Sequence, residues 1–367
     1  MKKVLVLVLA ALMIFSMAAC GGNAKTSEIA VVTDVGSLMD GGFNQGTYEG
    51  AVAYASANNK TYAYYQPANG TDATDNDRIA AMRQAIKNGA KVIVAPGFLQ
   101  ATAMTTVALE SPDVKFVFVD GWALSDESGN AIKNVTAIVY KEQESGFLAG
   151  YAAVKDGYTK LGGTFGGGGS NPACYRFAYG YVQGARMAAE EMGVDVEIKI
   201  SFKYGSGFSA STELATQMSS WYTSGTEVIF SCGGSMIQSV IAAANETGNG
   251  KIIGVDTDQS TLSDRVITSA TKGLSASVQK VLGEYYANQW DSKLAGQASN
   301  LGAADDATGL PIKTSRFSKF TEADYNAIYE KVKNGTVVPD ADVDGCDTAA
   351  FWNKVTEGSS VTVIFEE

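Results

Sequence analysis

Short runs of consecutive apolar residues, each followed by a helix-length stretch, recur through nearly the whole chain, and this rhythm constrains the fold more tightly than any other feature. The runs are Ile29–Thr33, Tyr62–Gln66, Val92–Ala95, Phe116–Asp120, Val135–Tyr140, Leu161–Phe165, Val196–Phe202, Val228–Cys232, Ile252–Asp256 and, at the end, Val361–Phe365. Between them lie amphipathic segments such as Asp77–Asn88, Ala178–Met192, Ser211–Tyr222 and Met236–Glu246. Glycine closes several of them, in KNGAK, EMGVD, TSGTE and TGNGK, as expected of helix C-termini. A strand that is apolar throughout, instead of at every second position, is buried on both faces. The pattern predicts an α/β protein whose parallel sheets are covered by helices on each side.

So many strands exceed one sheet for a chain of 367 residues, and the series has a seam. After Val135–Tyr140 the chain runs through KEQESGFLAGYAA into LGGTFGGGG, which reads as a first strand laid down a second time. Two Rossmann-like lobes are predicted. Residues 29–139 with about 270–300 form the N-terminal lobe, and residues 140–269 with about 301–367 the C-terminal lobe. The rhythm loosens after Asp258, where DRVITSATKG, a helix near Leu274–Leu294 and the terminal VTVIF make further passes. Repeated crossing builds a hinge, with a ligand held in the cleft.

Residues 1–20, MKKVLVLVLAALMIFSMAAC, follow the charged, apolar, small-residue order of a secretory signal. Ser16-Met17-Ala18-Ala19-Cys20 followed by Gly21 resembles a bacterial lipobox, which implies that Cys20 carries a lipid and becomes the mature N-terminus. Residues 21–28 read as a flexible tether. No later apolar run approaches the roughly 20 residues a membrane span needs, so attachment is expected through the lipid alone. A net charge of −11, with 28 Lys+Arg scattered among 39 Asp+Glu, offers no basic face and argues against a nucleic-acid partner.

The chain has no histidine. That removes Ser-His-Asp and Cys-His catalysis, His-ligated zinc and histidine acid–base steps together. Cys174, Cys232 and Cys346 are far apart and odd in number, so they suggest neither a zinc knuckle nor a disulfide framework, and buried free thiols are expected. No cofactor and no metal are expected. Asp340-Ala341-Asp342-Val343-Asp344-Gly345 opens like a calcium loop, but the twelfth position is Phe351 instead of glutamate. An acidic surface loop is the better reading.

Chemistry concentrates at the first strand-to-helix turn, VVTDVGSLMDGGFNQG. It lacks G-x-G-x-x-G, and its carboxylates, Asp34 and Asp40, would repel a pyrophosphate. The second glycine run, TFGGGGSNPA, is not closed by Gly-Lys-Ser/Thr and is no P-loop. Phe43 at a helix start can stack on a flat ligand, and Asn44 offers donor and acceptor together. The competing reading makes Phe43 a helix staple and Asp40 an N-cap.

The blocks TDVGSLMDGGFNQGTYEG, YKEQESGFLAGY, FGGGGSNPACYRFAYGYVQGA, KYGSGFSAS, IFSCGGSMIQSVIAAA, IIGVDTDQS and VITSATKG, in this order, resemble the basic-membrane-protein (BMP) family. These are lipid-anchored substrate-binding proteins of ATP-driven nucleoside importers. The resemblance implies a type I periplasmic-binding-protein fold and a monomer. It also implies a purine nucleoside ligand, with the permease and ATPase subunits of an ABC transporter as partners on the extracytoplasmic face. Carried over by position, Phe43, with Asn44 beside it, and Phe208 clamp the base. Asp120 meets the purine edge, Asp256 and Lys272 grip the ribose, and Gly233-Gly234 form the adjoining turn. The family often has an acidic residue just after the second aromatic, where this chain has Ser209-Ala210-Ser211, which leaves the preferred base open. Two alternatives stay in view: a sugar or autoinducer receptor on the same fold, and a nucleoside hydrolase whose Asp34, Asp40, Asp256 and Asp258 hold a metal.

Overall fold

A computed structural model describes residues 26–204 and 207–366. Cys20, the secretory signal and most of the expected tether lie outside the described residues. The chain begins β1 (Ile29–Val32), α1 (Phe43–Ala57), β2 (Tyr62–Tyr65), α2 (Asp75–Lys87), β3 (Val92–Pro96), α3 (Ala101–Glu110), β4 (Lys115–Val119), β5 (Val135–Tyr140). It then repeats the alternation with α4 (Glu142–Lys155), β6 (Lys160–Phe165), α5 (Pro172–Met192), β7 (Val196–Ser201), α6 (Thr212–Thr223), β8 (Val228–Cys232), α7 (Ile237–Thr247), β9 (Lys251–Asp256), β10 (Val266–Lys272). The last part holds α8 (Leu274–Tyr286), β11 (Ala298–Leu301), β12 (Thr308–Gly309), α9 (Glu322–Lys333), α10 (Ala349–Val355) and β13 (Val361–Glu366).

Two sheets result. The first has the order β11-β5-β4-β3-β1-β2 and the second β12-β10-β9-β8-β6-β7-β13. All pairings are parallel except that of β12 with β10. The cores of the two orders, β5-β4-β3-β1-β2 and β10-β9-β8-β6-β7, are the same wiring used twice, and β6 stands where β1 stands. Strands such as β1, β3 and β8 are buried at every position, which explains their unbroken apolar sequence. The architecture is the α/β, type I binding-protein fold of two Rossmann-like lobes flanking a cleft. The chain passes between sheets at Lys141, Gly273 and Gly302.

Glycine spacing explains one packing layer. Gly146 and Gly150 on α4 face Gly180 and Gly184 on α5, and a Cβ on any of these would collide with a backbone carbonyl of the other helix. Only glycine lets two helices approach so closely. The blocks SGFLAGY and AYGYVQGA thus encode a helix pair.

Strand β10 escapes the apolar rhythm because Thr268, Ser269 and Thr271 interrupt it, yet it is buried through most of its length. Each hydroxyl has a partner: Thr268 bonds Ser315, Ser269 accepts from the backbone N–H of Gln259, and Thr271 donates to the Gly309 carbonyl. A polar strand can be buried when its hydroxyls are satisfied, and nothing local in the sequence shows that they will be. The helix expected over Leu274–Leu294 also differs. It ends at Tyr286, and Trp290–Leu294 form a separate π-turn.

Candidate functional site

A cavity of about 530 Å³ opens at the carboxyl ends of the strands of both sheets. This is where open α/β sheets hold ligands, and the volume lies within the roughly 300–1,000 Å³ of small-molecule sites.

Its floor is an ion cluster. Lys272, the last residue of β10, is buried, with Nζ 2.5 Å from Asp120 Oδ2, 3.2 Å from Glu142 Oε1 and 3.8 Å from Asp256 Oδ1. Arg176, in the first turns of α5, donates from Nε to Glu142 Oε2 at 2.6 Å. Burial acts to lower the Lys272 pKa, but the three carboxylates outweigh it and hold the ammonium well above its usual range. Burial likewise opposes ionisation of Glu142, but Lys272 and Arg176 bring it below the usual carboxylate range. Asp256 is pushed up to about 7, mainly by burial. The Nζ also lies 5.3 Å from the ring centres of Phe43 and Phe177, within reach of a cation–π attraction.

The first strand-to-helix turn forms one wall. Asp40 accepts from the backbone N–H of Gly42, Asn44 and Gln45, so it holds the start of α1 while lining the cavity. The N-cap is Gly42 and not Asp40, but the Asp40 carboxylate, two residues upstream, still satisfies N–H groups of the first turn. Asn44 donates from Nδ2 to the Val35 carbonyl at 2.9 Å, which leaves its buried Oδ1 without a partner. Asp34 is buried against Arg78 Nε at 3.0 Å, and burial lifts its pKa to about 6. The turn also touches the second lobe directly: the Gly41 carbonyl accepts from Thr257 Oγ1 and Gln259 Nε2, each at 2.9 Å.

Backbone strain marks the opposite wall and the floor. Among the described residues, seven non-glycine residues have positive φ, and four of them are exposed Asn or Asp. The other three are Asp120 (φ 57°), Asp256 (φ 66°) and Phe208 (φ 56°), all lining the cavity. A left-handed residue at the end of β4 and of β9 aims both carboxylates at the same ammonium. Such conformations cost of order 1–3 kcal/mol each and persist where surrounding structure imposes them. Phe208 is seated on glycine: a Cβ on Gly166 would stand 2.5 Å from its ring, and one on Gly233 3.0 Å.

The profile of the Bmp family, described as "ABC transporter substrate-binding protein PnrA-like", matches residues 27–341. The chain belongs to the Bmp family. Basic membrane protein A1 of Borrelia garinii subsp. bavariensis is 29% identical over 345 residues, 92% of this chain and 96% of that protein. The ABC transporter nucleoside-binding protein BmpA of Lactococcus lactis subsp. cremoris is 32% identical over 251 residues, 65% of this chain and 66% of that protein's length. Among solved structures, an ABC transporter solute-binding protein from Aeropyrum pernix K1 aligns with a TM-score of 0.72 at 21% identity, over 89% of this chain and 97% of that one, a likeness of fold. The Bmp family and these neighbours are solute-binding proteins and not enzymes, which sets the hydrolase alternative aside. ABC substrate-binding proteins work outside the cytoplasm, and among the described residues no helix is long and apolar enough to cross a membrane.

In this Bmp-family protein, Asp34, Asp40, Phe43, Asn44, Asp120, Phe208, Gly234, Asp256 and Lys272 all line one cavity, although they span more than half the chain. Gly233 does not line it; its φ of 152° and bare Cα give Phe208 room. Asp120, expected at the purine edge, shares Lys272 with Asp256, expected at the ribose, so the two expectations meet in one cluster. Asp258 turns away and accepts from Thr314 at 2.6 Å. The acidic loop is tied to α5, where Gln183 bonds the Asp340 backbone. Among the described residues no group of three or more carboxylates or thiols is arranged to hold a metal.

Glu142, Arg176, Phe177, Phe98 and Trp122 were not anticipated. Arg176 and Phe177 could have been found by applying to α5 the reasoning used for α1, since both helices follow the first strand of a lobe. Glu142 carries no local signal, because its partner Lys272 lies 130 residues away.

Proposed function

We propose that this protein captures a nucleoside, with a purine nucleoside as the preferred ligand, and delivers it to the permease and ATPase subunits of an ABC importer. In this reading it acts as a monomer held to the outer face of the membrane by lipid on Cys20. The name of the Lactococcus relative supports the nucleoside class. The observation that carries the reading is a small set of polar groups with unused bonding capacity in an otherwise apolar cavity. Asn44 Oδ1 and Asp120 Oδ1 are buried acceptors without partners, and the ammonium of Lys272 stands between Asp120 and Asp256.

A ligand that fits must bring donors. Ribose hydroxyls can donate to Asp120 and Asp256 and accept from Lys272, while a base N–H can donate to Asn44 Oδ1. Phe43 and Phe208 line the same cavity and supply apolar faces for the base. A deoxyribose would leave a buried carboxylate short of one donor, which is the kind of mismatch that discriminates strongly. Three chain crossings form the hinge on which two lobes would close around such a ligand.

Calorimetric titration with guanosine, adenosine, inosine, uridine and ribose, alongside Phe43→Ala, tests this. Micromolar or tighter binding of a purine nucleoside, lost in the variant, is expected. Binding of ribose alone, or of none of these, would overturn the reading.

A further inference from the structure

Cys174 and Cys232 line the cavity, yet recognition of a nucleoside gives them no task. Cys232 ends β8 and Cys174 lies in the first turn of α5, 58 positions earlier, but their Sγ atoms are only 4.0 Å apart. Both side chains are buried and both thiols are free. A disulfide requires sulfurs about 2.05 Å apart, so an approach of about 2 Å joins them. Closing that gap requires the two side chains, and the first turn of α5 that carries Cys174, to move toward each other. The Bmp family works outside the cytoplasm, where disulfides form and persist.

We infer that Cys174 and Cys232 are a redox pair, oxidised to an intramolecular disulfide by an organic disulfide that enters the cavity, and that this oxidation weakens ligand binding. One cysteine thiolate attacks the incoming RS–SR and expels RS⁻. The second cysteine sulfur then displaces the remaining RS group. Two protein thiols and one RS–SR become one protein disulfide and two RSH, the protein losing two electrons and the reagent gaining them.

The structural consequence reaches three parts of the cavity. The turn holding Cys174 is fixed by Asn171, whose Oδ1 accepts from the N–H of Ala173 and Cys174. The same turn leads into Arg176, which orients Glu142 against Lys272, and into Phe177, which lies beside Lys272. Cys232 in turn precedes Gly233, on which Phe208 rests. Drawing the two sulfurs together therefore displaces groups on the floor and on one wall, and a binding site loses affinity when its groups are no longer held in place beforehand. This effect on affinity rests on the nucleoside reading; formation of the bond does not.

The test treats the full-length, pre-reduced protein with oxidised glutathione and follows it by peptide mass mapping and by calorimetry with guanosine and adenosine. The expected map shows the peptides containing Cys174 and Cys232 joined, about 2 Da lighter than their sum. Affinity should fall at least about tenfold and return on reduction. Cys174→Ser should abolish the joined peptide, whereas Cys346→Ser should leave it in place. Peptides that stay separate, or are joined only to glutathione, would overturn the pair. A joined peptide with unchanged nucleoside affinity would overturn its coupling to binding. If the reduced protein binds neither nucleoside, the functional reading fails while the peptide map still decides the pair.

Discussion

The floor and the walls of the cavity are built in opposite ways. On the floor, Lys272 meets Asp120, Glu142 and Asp256, and Arg176 stands behind them, so every charged group has a counter-charge before any ligand arrives. The walls are less determined. Phe43, Phe98 and Phe208 are only half-buried, and Trp122 is 50% exposed. The floor joins residues from both sheets at the chain crossings, whereas the wall aromatics Phe43, Phe98 and Trp122 come from turns of the first sheet and Phe208 from a turn of the second. A pre-formed floor with unfinished walls fixes where the polar end of a ligand sits and leaves the rest of the contact to be completed on binding.

The sharpest way to break this contrast is Lys272→Met. It leaves buried carboxylates without their common cation, and removing one partner of a buried pair costs about 3–5 kcal/mol. Chemical denaturation should show that loss together with the disappearance of nucleoside binding. An unchanged midpoint would mean that the floor is not pre-formed. Phe208→Ala acts on a wall and should behave differently. Stacking on an aromatic is worth about 1–3 kcal/mol per base, so the dissociation constant should rise by one to two orders of magnitude while the denaturation midpoint moves far less than in Lys272→Met. Gly166→Ala, whose Cβ would push on the Phe208 ring, should weaken binding in the same direction.

The pH dependence sharpens the contrast further. Burial lifts Asp34 to about 6 and Asp256 to about 7, from ordinary values of 3.8. Because these folded-state values are raised, the two groups contribute stability to the free protein that is fully present below the ordinary carboxylate range. That contribution is lost as pH rises through 6 to 7. Binding runs the other way, since hydroxyls that donate to Asp256 need its ionised form. Affinity should rise by up to about tenfold per pH unit below 7 and level off above it. Calorimetry in two buffers of different ionisation enthalpy would detect the released proton, and Asp256→Asn should remove it. No proton release would show that Asp256 does not meet the ligand.

The smallest effect is expected at the rim. Trp122 is half exposed, whereas Trp221, Trp290 and Trp352 are buried, so a ligand-induced change in tryptophan fluorescence should come from Trp122. Trp122→Phe should remove the signal and change affinity by less than about threefold, as surface substitutions usually do. A retained signal would mean that lobe movement reaches the buried tryptophans.

Much of this was legible in the sequence for particular reasons. Uninterrupted apolar runs such as Val92–Ala95 and Val228–Cys232 require burial on both faces, so they announce covered parallel strands wherever they occur. The turn holding Asp34, Asp40, Phe43 and Asn44 was legible because all four lie within one short stretch between a strand and a helix. Strand β10 was not, because its hydroxyls hide the apolar pattern, and the role of Glu142 was not, because neither neighbour in sequence hints at Lys272.

By itself, then, the sequence determined the α/β alternation, its restart at the second lobe, the absence of histidine chemistry and the family of the chain. Hydrophobic period, turn residues and composition act over a few residues and survive without coordinates. Only the tertiary structure decided that Asp120 and Asp256 share one lysine, that Gly233 supports Phe208 instead of lining the cavity, and that Cys174 lies 4.0 Å from Cys232. Those facts depend on where distant strand ends converge. Electrostatic and steric forces act over a few ångströms of space whatever the separation along the chain, so only the assembled fold could bring such groups together.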